Sequence, residues 1–189
     1  MAKKSKKTDH TVVMVKPDGV RMRLVGDIIA RLERVGLKLC AAKLVWVDAT
    51  HAGKHYRDDN DYHKTVGEKT LENYKKFGID PGENLGTKNP IKIGKLVRKW
   101  NMEFISSGPV FAMLWEGPGA IGIVRKIVGH TFPADALPGT IRGDYSLESA
   151  FTANTQSRTV ENLIHASGNK EEADLERKLW FKEDEIYSY

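Results

Sequence analysis

Apolar or β-branched residues run unbroken from Thr11 to Val15 and stop at Lys16-Pro17-Asp18-Gly19. A run without alternation predicts a central strand, and Pro-Asp-Gly predicts a tight turn directly after it. From Leu24 to Val35 the spacing becomes that of an amphipathic helix, with Leu24, Ile28, Ile29, Leu32 and Val35 on one stripe and Gly36 as its stop. Leu37 to Val47 then alternates, which places Leu37, Leu39, Ala41 and Val45 on one side of a second strand. Thr50 is positioned to cap a short helix containing His55 and Tyr56. Between Arg57 and Gly94 charge is dense, with breaks near Gly78, Pro81-Gly82 and Asn89-Pro90. Leu71, Tyr74, Phe77 and Leu85 are its few anchors, and the i, i+3 spacing of Tyr74 and Phe77 predicts a helix docked on the body.

The second half repeats the alternation of strand and helix. Ile93 to Phe104 reads as a helix with Leu96, Val97, Trp100 and Phe104 inward, and Val110 to Trp115 as a third buried strand. Ala120 to Val128 is a helix burying Ile121, Val124, Ile127 and Val128, ended by Gly129. His130 to about Arg158, with Pro133, Pro138, Gly139 and Gly143, reads as an irregular stretch, and a loop this long in a compact domain implies a function. Val160 to His165 is the fourth strand. The order predicts an α+β fold, a ferredoxin-like four-stranded antiparallel sheet with helices on one face, a long helical insertion over 57–94 and an extended loop over 145–160. The predicted division is a flexible basic tail over 1–10 and one domain over 11–189.

The last predicted helix carries the first chemical signal. Asn169 is its N-cap, with Glu172 three residues on as in a capping box, and Ala173, Glu176, Leu179 and Trp180 share one face. A carboxylate on a buried stripe needs a donor. His165, at the end of the strand just before this helix, is the available one, and a carboxylate that fixes an imidazole prepares it for chemistry.

Composition adds little to this and removes some alternatives. No apolar run reaches the ~20 residues of a membrane span, the N-terminus lacks the apolar core of a signal peptide, and the single cysteine, Cys40, reads as a small core residue suited to a reducing cytoplasm. The net charge is +5, but Lys3, Lys4, Lys6 and Lys7 account for four of the cations, leaving 26 basic against 25 acidic residues elsewhere. A near-neutral body argues against nucleic acid as a partner.

Taken together, Val15-Lys16-Pro17-Asp18-Gly19-Val20, His55-Tyr56, Ser107-Gly108-Pro109-Val110, Arg125 with Gly129-His130-Thr131, Pro138-Gly139-Thr140-Ile141-Arg142-Gly143-Asp144 and Asn162-Leu163-Ile164-His165-Ala166-Ser167 resemble the nucleoside diphosphate kinases, in the family's order from Thr11 to Phe181. The resemblance implies a ping-pong transfer in which His165 takes the γ-phosphate of a nucleoside triphosphate and gives it to a nucleoside diphosphate. By the same resemblance Glu176 and Ser167 hold the ring, Tyr56 matches the family's tyrosine beside the histidine, and Lys16, Arg125, Thr131 and Arg142 match phosphate-binding positions. Asn162 and Lys16 match ribose contacts. It implies Mg²⁺ carried on the nucleotide phosphates rather than a protein-held metal, and a homo-oligomer, a hexamer or a tetramer built from dimers. The chain departs from the family at Ala166 (usually Gly), Gly168 (usually Asp), Glu161 (usually Arg), and in the long segment between Tyr56 and Phe104. That segment replaces the family's base-stacking aromatic, for which Trp100, Phe104 and Tyr62 are candidates, with Val160 as an aliphatic partner. Stacking alone would leave the enzyme tolerant of all bases.

Overall fold

The computed structural model describes residues 8–189, so the four lysines of the basic tail lie outside the described residues. The predicted first strand is β1 (Asp9–Val15), which pairs antiparallel with β3 (Val110–Gly117) on one side and β4 (Ile164–Ala166) on the other. β2 (Lys38–Val45) adds to β3, giving the order β2-β3-β1-β4 with every pairing antiparallel. Among the described residues the helices are α1 (Pro17–Arg21), α2 (Val25–Arg34), α3 (Ala49–His55), α4 (Asn60–Phe77), α5 (Pro81–Leu85), α6 (Pro90–Ile105), α7 (Ala120–Val128), α8 (Ile141–Tyr145), α9 (Ala150–Thr155) and α10 (Lys170–Trp180).

Helices cover both faces of the sheet, not one. Val12, Val13, Met14 and Val15 are all fully buried, and alternate side chains enter different cores. Val13 and Val15 pack with Ile28 and Leu32 of α2 and Val124 and Val128 of α7. Val12 and Met14 pack with Ala52 of α3, Ile105 of α6 and Trp180 of α10. An unbroken apolar run is the signature of a strand covered on both sides, so the pattern already contained the second layer.

Other differences have local causes. Lys16-Pro17-Asp18-Gly19 opens a helical turn, α1, because Pro at the first helical position lacks only an N–H that would be unpaired anyway. In β2 a bulge between Leu39 and Ala41 breaks the alternation. Leu37 and Leu39 therefore face one core, while Cys40, Ala41 and Val45 face the other. The cap of α3 is Asp48, which accepts from His51 N at 2.7 Å, rather than Thr50. The stretch from His130 to Arg158 contains a 3₁₀ turn (Pro133–Asp135), α8 and α9; the last two are capped by the Thr140 and Ser149 side chains but too short to show a period. β4 begins only at Ile164.

The region expected as an insertion forms, with the residues that follow it, an antiparallel pair, α4 and α6, whose main chains touch. A Cβ at Gly67 would lie 1.8 Å from the Pro90 carbonyl oxygen, and one at Gly94 would lie 1.9 Å from that of His63. Ile93, Gly94 and Ile105 are the buried residues of α6, whereas Leu96, Val97, Trp100 and Phe104 are half-buried. No helix among the described residues is long and apolar enough to cross a membrane.

Candidate active site

The residues before β4 cannot be strand because Leu163 takes a left-handed backbone, φ 69°. For a branched side chain this is strained, and it is held from two sides. Asp18 Oδ2 accepts from Leu163 N at 2.8 Å, and Lys16 N donates to Leu163 O at 2.8 Å. Gly19 permits this approach, since a Cβ there would meet Leu163 O at 2.8 Å. The Lys-Pro-Asp-Gly turn is thus the clamp that aims β4, and it sets His165 opposite Met14.

On β4 the predicted pair forms. His165 Nε2 lies 2.7 Å from Glu176 Oε1, and Ser167 Oγ donates to Glu176 Oε2 at 2.6 Å. Glu176 is only 8% exposed. Burial alone would raise its pKa, but the charge and hydrogen bond of His165, with His55 and Ser167, hold it below the ordinary carboxylate value. Because Nε2 is engaged by the carboxylate, Nδ1 is the nitrogen left for other chemistry. His55 stands edge-on to His165, with ring centroids 4.7 Å apart, and its Nδ1 is 3.8 Å from Glu176 Oε1. Burial, then the neighbouring His165, push its pKa down to about 3, so it stays neutral and leaves the carboxylate to His165. Ligand atoms of His55, His165 and Glu176 lie within 4.8 Å of one another. A metal bound there would take Nε2 from Glu176, so the cluster reads as an orienting network.

His165 lines a cavity of about 360 Å³ together with Lys16, Arg125, Thr131, Arg142, Asn162 and Glu172. All the predicted phosphate-site residues therefore converge on it. Arg142 is buried and fixed by backbone carbonyls: Nε to Asn162 O at 3.1 Å, one terminal nitrogen to Gly129 O at 3.0 Å and His130 O at 3.2 Å, the other to Ile164 O at 2.6 Å. Burial, then Arg125, lower its pKa to about 10 against the opposing pull of Asp18. Lys16 Nζ donates to Asn162 Oδ1 at 2.7 Å, and Asn162 Nδ2 donates to Thr131 O at 2.8 Å. Burial, then Arg142, bring the Lys16 pKa down to about 8, again opposed by Asp18. Cations gathered without matching acids make a field suited to a polyanion.

A second cavity of about 260 Å³ shares Lys16, Thr131, Asn162 and His165 with the first and extends to the inserted helices. Tyr56 lies on its wall, and burial raises the pKa of its phenol. Of the stacking candidates, Trp100 and Val160 are on this wall; Phe104 and Tyr62 are not. Phe104 instead lies under Lys16, 5.9 Å from Nζ to the ring centre, and Tyr62 packs on His63. Phe132, also on the wall, was hidden in a stretch without periodicity. Sequence reasoning also passed over Glu172 as anything but a cap, Asp18 and His55. Glu172 is the one carboxylate lining the phosphate cavity among the described residues; its Oε2 accepts from Gly168 N at 2.8 Å and its Oε1 from Asn169 Nδ2 at 3.1 Å. It thereby ties down the turn where the family's aspartate is replaced by glycine.

The family model described as nucleoside diphosphate kinase matches residues 9–70 and 93–186. The chain belongs to the nucleoside diphosphate kinase family. The nucleoside diphosphate kinase of Pyrobaculum aerophilum is 40% identical over 178 residues, 94% of this chain and 97% of that one. That of Bacillus licheniformis is 41% identical over 178 residues, 94% and 91% of the two chains. Among solved structures, the P. aerophilum enzyme superposes with a TM-score of 0.94 at 38% identity, covering 96% of this chain and all of the other. A transition-state mimic of the Borrelia burgdorferi enzyme with bound vanadate and ADP superposes with a TM-score of 0.76 at 38% identity, covering 98% and 94%. Membership makes this chain a phosphotransferase that moves the γ-phosphate of a nucleoside triphosphate to a nucleoside diphosphate. Residues 71–92, which the nucleoside diphosphate kinase model skips, fall within the α4–α6 region.

Proposed function

We propose that the transfer runs through His165. Nδ1 attacks the γ-phosphorus of the triphosphate, the bond to the bridging oxygen breaks, and the diphosphate leaves with that oxygen's negative charge. A second diphosphate then takes the group from Nδ1 through a terminal oxygen, restoring neutral imidazole. The observation that carries this is the 2.7 Å contact of Nε2 with Glu176, on a ring that lines the same cavity as Lys16, Arg125 and Arg142. Glu176 steadies the positive charge that develops on the ring during attack, and Ser167 fixes the carboxylate. Arg125, Arg142 and Thr131 hold the phosphates, Lys16 and Asn162 the ribose hydroxyls, and Tyr56 closes the cavity beside them.

Mg²⁺ fits this cavity as a passenger of the nucleotide. A single carboxylate, Glu172, is too few for a protein-held ion but enough beside phosphate oxygens, where the ion would neutralise phosphate charge. The domain is one unit; of the expected insertion over 57–94 the family model leaves 71–92 unmatched, and the expected loop over 145–160 carries α9. A cytoplasmic setting suits the single free thiol, Cys40, and a homo-oligomer, a hexamer or a tetramer of dimers, is supported by the apolar surface that Leu44 on β2 and Trp46 just after it leave 61% and 66% exposed. The test is incubation with γ-labelled ATP. Wild type acquires acid-labile, alkali-stable label and His165→Ala does not; wild type without label ends the proposal.

A further inference from the structure

Two sides of α6 face different neighbours. Val97, Trp100 and Asn101, at i, i+3 and i+4, line the second cavity. Arg98 and Met102, one turn apart on another side, meet α3 instead. A Cβ at Gly53 of α3 would lie 3.3 Å from the Met102 methyl carbon and 3.8 Å from the Arg98 guanidinium, so glycine leaves room for both. The Arg98 side chain is 15% exposed and lines neither cavity. Its Nε–H is shared between Tyr56 O at 3.2 Å and Arg57 O at 3.0 Å. One terminal nitrogen donates to Gly53 O at 2.9 Å and lies 3.4 Å from Asp58 Oδ2. The last carbonyls of a helix have no partner within it, and a cation there also suits the helix dipole. One guanidinium therefore fastens the end of α3 and the two residues after it.

That end of α3 carries the side wall of His165. His55 is the last residue of the helix and Tyr56 follows it. The Tyr56 and His55 rings are 4.8 Å apart, and the His55 and His165 rings 4.7 Å. Trp180 Nε1 donates to His55 Nδ1 at 3.4 Å, which steadies the ring, while Arg98 steadies the backbone that bears it. We infer that Arg98 is a positioning residue for phosphoryl transfer, acting on His165 through His55. The inference rests on the reading of His165 as the phosphate carrier. Without Arg98 the end of α3 is free to drift, and His55, whose Nδ1 is 3.8 Å from Glu176 Oε1, no longer keeps its distance from the carboxylate that orients His165. A displacement of about 1 Å at an attacking group costs on the order of 10²-fold in rate. Lysine is a poor replacement, because one ammonium cannot span three carbonyls as the planar fork does.

The test uses Arg98→Met, which keeps an unbranched side chain and loses the donors, and Arg98→Lys. Phosphoenzyme formation is followed by rapid quench at saturating γ-labelled ATP, Kd for ADP is measured alongside, and each substitution is repeated in a His55→Ala background. Arg98→Met is expected to slow the saturated rate by at least about tenfold with Kd within about threefold of wild type, and Arg98→Lys to restore only part of the rate. In the His55→Ala background the same substitutions should change the rate by less than about threefold, because a residue that acts through another has little left to do once that other is gone. A helix cap that served stability alone would lower Tm and repeat its full effect in both backgrounds. An unchanged saturated rate in Arg98→Met, or an equal fold loss with and without His55, overturns the inference. Should Arg98→Met not fold, Arg98→Lys with and without His55 decides. Wild type that takes no label would fault the reading of His165 rather than the role of Arg98. The ring ¹⁵N signals of His55 and His165 then decide: they shift in Arg98→Met, and unshifted signals overturn the inference as well.

Discussion

At the phosphate end of the cleft the protein's polar groups are tied to one another before any substrate arrives. Arg142 gives four of its five N–H groups to main-chain oxygens, Asn162 joins Lys16 to the Thr131 carbonyl, and Glu176 is shared between His165 and Ser167. At the other end, α4, α6 and α9 enclose a more apolar surface, walled by Val97, Trp100, Phe132 and Val160. The first arrangement is rigid because a phosphoryl group is transferred only when nucleophile and charge are in place beforehand. The second leaves recognition to the bound molecule. Changes at the phosphate end should lower the transfer step itself, whereas changes at the apolar end should raise KM and leave that step nearly alone.

The largest effect that would break this contrast is at Arg142. Arg142→Ala should lower kcat/KM by on the order of 10²–10³-fold with all nucleotides. It should also lower Tm, because the Gly129, His130, Asn162 and Ile164 carbonyls lose a donor; a base-dependent loss would show that the two ends are coupled. Trp100→Ala should cost on the order of 30-fold in KM, with phosphoenzyme formation at saturating triphosphate nearly unchanged. A fall in the saturated rate instead would place Trp100 in the chemistry.

Lys16 gives a smaller, pH-dependent signal. Its pKa of about 8 means that the cation is present at neutral pH and is lost above, so kcat/KM for the triphosphate should drop about tenfold between pH 7 and pH 9. Lys16→Arg should abolish this drop, and a profile flat to pH 9 in wild type would reject the assignment. The same group moves stability the other way. Between about 8 and the unfolded value of 10.5 the unfolded chain binds more protons at this lysine, so its contribution to unfolding free energy rises with pH there. The smallest expected effect on transfer is at Gly67. Gly67→Ala must push α4 off the Pro90 carbonyl, costing about 2 kcal/mol of stability. It should raise KM a few-fold without altering phosphohistidine formation, as rapid-quench labelling would show.

The same contrast governs how much could be read from the chain. Glu176 falls on the buried stripe of α10 just after His165, so period and capping point to that pair, whereas the cations were legible only through the family's motifs, and the strained turn at Leu163 was the part of that end not visible. Nothing in the local pattern marks Leu163 as left-handed; the clamp is the contact with Asp18 from 145 residues earlier. The β2 bulge was likewise invisible because alternation on either side of it looks continuous. At the base end the breaks at Gly78, Pro81 and Pro90 were legible and the partners were not. Phe132 caps a three-residue turn and Asn154 lies in the six-residue α9, both too short for any period, and α9 reaches the cavity through its packing on α4.

The glycine contacts between α4 and α6 have a consequence for how this cleft could change. Because main chain meets main chain at Gly67 and Gly94, the spacing of the two helices is fixed without the help of any side chain on their cavity-facing sides. Those side chains are therefore free to vary, and substitutions along that wall can change how firmly a bound molecule is gripped while the depth of the cleft stays as it is.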